Sequence, residues 1–111
     1  MAITKLNVAI TKLTDEEYVR ASEEWGATFV NQHEAYAVLL EEVGELDEEM
    51  QLLRHWMVGY WSDVRRGASV IHTLRLIRGT AFNAACEAVQ VAAMAHKALE
   101  TLRIHKEEII R

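Results

Sequence analysis

The chain has 111 residues, half of them hydrophobic, with no proline, five glycines, one cysteine and a formal net charge of −5. That length supports one domain rather than two independent cores. The lone Cys86 excludes an intrachain disulfide and fits a reducing compartment, and the acidity argues against a duplex-DNA binder, which needs several phosphate contacts from a basic face.

No window approaches the roughly 18 uninterrupted apolar residues of a membrane span, and the N-terminus lacks the apolar core of a signal peptide. The expectation is a soluble, cytoplasmic protein with no membrane partner. Abundant Ala, Leu and Glu favour helix throughout, so the expected class is all-α. A small helical chain this apolar commonly completes its burial by pairing with a second copy.

The first segment, residues 1–14, holds a duplication: Ala2-Ile3-Thr4-Lys5-Leu6 recurs as Ala9-Ile10-Thr11-Lys12-Leu13. The seven-residue offset puts Ile3, Leu6, Ile10 and Leu13 on one helical face, while the β-branched content also suits a strand. Its state stays open. Thr14-Asp15-Glu16-Glu17 has the form of a capping box. It predicts a first helix from Asp15 to Val30 that buries Tyr18, Trp25 and Phe29.

Asn31-Gln32-His33-Glu34 repeats the capping pattern and opens an acidic helix expected to end at Gly59. Its apolar residues Tyr36, Leu39, Val43, Leu46, Met50, Leu53 and Met57 alternate in steps of three and four, an a/d stripe. On that wheel Glu42, Glu45 and Glu49 border the stripe, and Glu41 and Glu48 point outward. Several carboxylates at the lip of a core resist ionising together unless a cation compensates them.

A third helix is expected over 60–78, within an Arg-rich insertion at 58–79, and Gly79-Thr80 reads as a stop followed by a new N-cap. The last helix starts near Ala81 and is alanine-rich apart from one strip: Asn83, Glu87, Gln90, Met94 and Lys97. That strip either presents polar groups to something specific or is the solvent face. Charge is segregated along the chain. Residues 15–49 carry twelve acids and one base, and residues 54–86 carry five arginines and one acid.

Glu42 and Glu45 are three apart on one helix, as are Glu87 and Gln90 on another, close enough in each pair to share one ion. These are hard oxygen donors, suited to Mg²⁺ or Mn²⁺. A di-iron centre of Glu-x-x-His pairs is excluded, because none of the five histidines follows a glutamate by three. Zinc would need clustered Cys and His ligands. There is no glycine-rich phosphate loop.

Glu41-Glu42-Val43-Gly44-Glu45, followed later by Glu87-Ala88-Val89-Gln90, resembles the MazG-like branch of the all-alpha nucleoside triphosphate pyrophosphohydrolases. The stretch from His33 to Leu46 is also similar to small MazG-like proteins of phages and prophages. The resemblance covers about a third of the chain. It implies a four-helix bundle that forms a homodimer or tetramer, with Mg²⁺ held by Glu42, Glu45, Glu87 and Gln90. It also implies hydrolysis of a nucleoside triphosphate to the monophosphate and pyrophosphate. Two departures stand out: Gln90 occupies the place of the family's aspartate, and the Arg-rich segment lengthens the gap between the motifs.

In that chemistry Glu49 or Glu41 would orient the attacking water, and Lys97, with Arg75 and Arg78, would contact phosphate. Trp56 and Trp61 would stack a base, or else pack in a core or dimer interface. Two further readings compete with the enzyme: a non-catalytic helical dimer that binds nucleotide or protein, and a structural bundle whose acids are all solvated.

Overall fold

The computed structural model describes residues 2–110, with side chains described from 4 to 106. Three helices account for nearly all of it: α1 (Ala2–Trp25), α2 (Gln32–Arg66) and α3 (Ile71–Ile110). The chain is all-α, as its composition predicts. It has three long helices, however, where its glycines suggested four shorter ones.

Each boundary has a local cause. The duplicated N-terminal segment is helical, and Thr14 lies inside α1 instead of capping it. The Thr14 hydroxyl donates to the Ile10 carbonyl at 2.8 Å, as Thr11 does to Asn7 at 2.9 Å, a back-bonding mode open to any threonine within a helix. α1 stops at Gly26, whose φ of +93° an L side chain rarely adopts. The Trp25 ring just before it is 73% exposed rather than buried. α2 opens as its sequence predicts, with the Asn31 side-chain oxygen accepting the Glu34 amide at 2.9 Å.

Gly59 and Gly79 do not interrupt their helices. The true stop is Gly67, at φ +67°. There Ala68 N–H donates to the Asp63 carbonyl at 2.9 Å and Gly67 N–H to Val64 at 3.2 Å, the paired bonds of a Schellman cap. Arg65 and Arg66 occupy the last turn of α2, where cations favour the helix dipole. A glycine inside a helix costs only about 1 kcal/mol, which the packing of long helices offsets. The Arg-rich stretch is therefore the end of α2, a short turn and the start of α3.

The chain divides into two compact units, one comprising residues up to Glu42 with those from Val89 onward, the other Val43–Ala88. The core of the first is Ala21, Phe29, Ala35, Ala93 and Met94, with Tyr18, Val38, Leu39 and Ala98 packed on it. Thr101, fully buried, ties the 26–31 loop to α3. Its hydroxyl accepts the Phe29 amide at 2.8 Å and donates to the Lys97 carbonyl at 2.8 Å. The second unit is an antiparallel helical hairpin. Its half-buried α2 face is Leu46, Glu49, Leu53, Trp56, Tyr60 and Asp63, and the matching α3 face carries Thr73, Leu76, Thr80, Ala84 and Glu87.

This face corrects the expected one. Only one column of the a/d stripe, Leu46 and Leu53, packs inward; the other, Val43, Met50 and Met57, is exposed. The inward neighbours of the leucines are Glu49, Trp56 and Asp63. Polar residues thus stand within the helix–helix contact of the hairpin, not at its lip.

Candidate metal centre

Inside the hairpin, polar side chains recur every seven residues on both helices: Asp63, Trp56 and Glu49 along α2, and Thr73, Thr80 and Glu87 along α3. Antiparallel helices bring these together as three rungs. In the rung nearest the turn, Thr73 Oγ1 donates to Asp63 at 2.8 Å. Thr73, with Arg66 behind it, holds the Asp63 carboxyl below the usual carboxylate range. In the middle rung the Trp56 indole N–H donates to Thr80 Oγ1 at 3.0 Å. Both rungs pair a donor with an acceptor.

At the third pair of positions both side chains are acceptors. Oε2 of Glu49 and Oε2 of Glu87 are both shut off from solvent and have no hydrogen-bond partner. Burial pushes the Glu87 carboxyl above its usual range, and Glu45, Glu49 and Glu48 push it further. A ligand oxygen of Glu45 lies within 4.8 Å of one from Glu87, and the same limit holds between Glu42 and Glu45, neighbours one turn apart on α2. Unpaired buried carboxylate oxygens are costly. A hard divalent cation is the group that this donor set fits, since it would satisfy the orphaned oxygens and remove the mutual repulsion.

The first unit contains a cavity of about 650 Å³ lined by residues from all three helices, among them Arg20, Trp25, Phe29, Glu34, Glu41, Glu42, Gln90 and Lys97. Lys97 is only 5% exposed, and its ammonium lies 4.4 Å from the centre of the Phe29 ring. The alanine-helix strip is therefore not a solvent face: Glu87 and Gln90 are half-buried, Met94 and Lys97 buried, and only Asn83 is exposed.

The Glu17 carboxyl is held low chiefly by the guanidinium of Arg20, with the Gln90 amide adding to that effect. Arg20 donates to Glu17 at 3.0 Å and to Glu24 at 2.9 Å. Glu17 is therefore no part of a capping box but a member of an ion-paired helix face, which the Glu17, Arg20, Glu24 spacing of three and four announces.

The remaining expected site residues are distributed as follows. Glu41 is exposed on the cavity rim. Arg75 and Arg78 are exposed on the α3 helix of the hairpin and make no ion pair among the described residues. Trp56 is committed to Thr80, whereas Trp61 is 62% exposed. No helix among the described residues is long and apolar enough to cross a membrane. No protein-family model, curated protein or solved structure matches the chain.

Proposed function

We propose that this chain is a divalent-metal-dependent nucleoside triphosphate pyrophosphohydrolase of MazG-like type, acting in the cytoplasm as a homo-oligomer. The observation that carries the reading is the carboxylate cluster of the hairpin, where buried oxygens of Glu49 and Glu87 each lack a hydrogen-bond donor and an oxygen of Glu45 lies within 4.8 Å of one from Glu87. Glu42, Glu45 and Glu87 are the carboxylates that would hold Mg²⁺ or Mn²⁺, with Glu49 beside them. A cation bound there would neutralise phosphate oxygens and make a bound water more acidic.

The protein's own groups suit the rest of the reaction. Lys97 has surrendered most of its hydration and faces a cavity, so a phosphate oxygen is a favourable partner for its ammonium. Glu41, exposed and next to Glu42 on α2, would accept a proton from an attacking water. That water would add to the α-phosphorus and the bridging oxygen would leave with pyrophosphate, giving a nucleoside monophosphate.

The test is pyrophosphate release from a panel of ribo- and deoxyribonucleoside triphosphates with Mg²⁺ or Mn²⁺. Turnover that disappears in Glu42→Gln and Glu87→Gln supports the assignment; a folded protein that turns over none of the panel refutes it. One observation favours a second reading. Gln90 acts on the Glu17 carboxyl and, as an amide, brings no negative charge to the site, which suits a protein that binds nucleotide without cleaving it. Nucleotide-dependent thermal stabilisation with no pyrophosphate release would select that alternative.

A further inference from the structure

The half of the α2 stripe that does not pack inward forms a second, self-complementary surface. Val43, Met50, Met57 and Val64 recur every seven residues and are all exposed, Met57 by 51%. Four positions on from Val43, Met50 and Met57 are Asp47, Arg54 and Trp61, a column about 40° further round the same helix. It is exposed along its whole length, and the preceding member of that column, Leu40, is exposed as well. Arg54 makes no ion pair among the described residues. Among the described residues, Asp47 accepts a side-chain hydrogen bond only from Gln51, on its own helix.

A two-fold axis perpendicular to two antiparallel helices sets each column against its own copy in reverse order. The order Leu40, Asp47, Arg54, Trp61 is apolar, acid, base, apolar, so it is complementary to itself when reversed. With the axis beside Met50, between positions 50 and 51, Asp47 meets the partner's Arg54 and Leu40 meets the partner's Trp61, while Val43 falls within one residue's rise, about 1.5 Å, of level with the partner's Met57. The ion pair forms twice. A parallel arrangement in register would instead set Asp47 on Asp47 and Arg54 on Arg54, which like-charge repulsion disfavours.

We infer that a second copy of this chain docks on this face of α2, antiparallel and centred beside Met50, with reciprocal ion pairs between Asp47 and the partner's Arg54. The surface is separate from the carboxylates of the hairpin contact, because Glu49 and its neighbours face α3. The inference holds whether or not the chain is an enzyme.

Sedimentation velocity of the full chain over a concentration series measures the dimer constant. Arg54→Asp sets four acids together and is expected to weaken the dimer about tenfold or more. The double exchange Asp47→Arg with Arg54→Asp restores the opposite pairing and with it the wild-type constant. Both residues are exposed in the single chain, so neither change threatens folding. Met50→Cys in a Cys86→Ala background should oxidise to a covalent dimer, while Gln51→Cys in the same background should not. A wild-type chain that stays monomeric at about 100 μM overturns the proposal, as does an Arg54→Asp loss that the double exchange fails to rescue.

Discussion

Replacing Glu87 by Gln should stabilise the metal-free protein and at the same time abolish its response to metal. The substitution keeps the side chain's shape and removes one charge from a cluster in which burial and Glu45 already push the Glu87 carboxyl above its usual range. Oxygens of Glu45 and Glu87 lie within 4.8 Å; at that distance two unit charges repel by about 1 kcal/mol in water and about 3 kcal/mol at an effective dielectric constant near 20. Glu45 is exposed, which favours the lower figure. A gain of about 1 kcal/mol raises Tm by roughly 4 °C in a domain of this size.

The pH dependence carries the same sign. A carboxyl whose folded pKa is raised contributes stability below its unfolded value, near 4.3, and loses that contribution as pH rises through the folded value. The wild-type metal-free protein should therefore lose stability on going from mildly acidic to neutral pH, and the Gln variant should lose less. A cation at a hundredfold its Kd adds about 2.7 kcal/mol to the wild type and nothing comparable to the variant. Thermal unfolding followed by circular dichroism, with and without millimolar Mn²⁺, measures all of these. A variant less stable than wild type without metal, or one that keeps the full metal response, refutes the reasoning.

Thr80→Val strands the Trp56 indole N–H in the hairpin contact and should cost about 1–3 kcal/mol in urea unfolding, part of it recovered when Trp56→Phe is added. Thr101→Val similarly orphans the Phe29 amide, and hydrogen exchange at that amide should accelerate along with a comparable loss of stability. Lys97→Met keeps the volume over the Phe29 ring while removing the charge; nucleotide KM should rise with stability changed by no more than about 1 kcal/mol. Asp63 and Glu17 are held low by Thr73 and Arg20, so the stability they contribute is present above the unfolded carboxylate value and lost as pH falls through their depressed values. Thr73→Val should lessen that acid-side loss at Asp63, measured as Tm against pH.

The helical class and the period of α2 are plain in the residues. Which column of the stripe turns inward is not, because steps of three and four generate two apolar columns and either can be the packed one. What decides it is the third residue type in the pattern. Glu49, Trp56 and Asp63 fall beside Leu46 and Leu53, and their partners Glu87, Thr80 and Thr73 lie far along the chain. The glycine stops failed for a related reason. Glycine permits a left-handed turn but does not demand one: at Gly67 the backbone bonds to Asp63 and Val64 close a cap, as the bond from Gly26 N–H to Ser22 does for α1, whereas Gly59 and Gly79 stay helical. The polar strip on α3 was visible in the sequence but its direction was not, because a line of Glu, Gln and Lys on an alanine helix suits a solvated face as well as a buried one. The burial of Lys97 was not, since it depends on the ring of Phe29, which a loop bond to Thr101 sets in place.

The three rungs also separate structural from functional polarity. A buried polar pair whose members satisfy each other is close to neutral for stability, and the Asp63–Thr73 and Trp56–Thr80 rungs are of that kind. Glu49 and Glu87 are not, because two acceptors leave both oxygens wanting. If the hairpin served structure alone, replacing this pair by apolar residues of similar size would improve it at no loss, as happens when buried ionic groups elsewhere are exchanged for well-packed hydrocarbon. Glu49→Leu combined with Glu87→Leu is accordingly expected to raise the metal-free Tm and to eliminate both the metal response and pyrophosphate release. A double variant that gains stability while keeping its metal response would remove the carboxylate rung from the chemistry and leave the hairpin as scaffold.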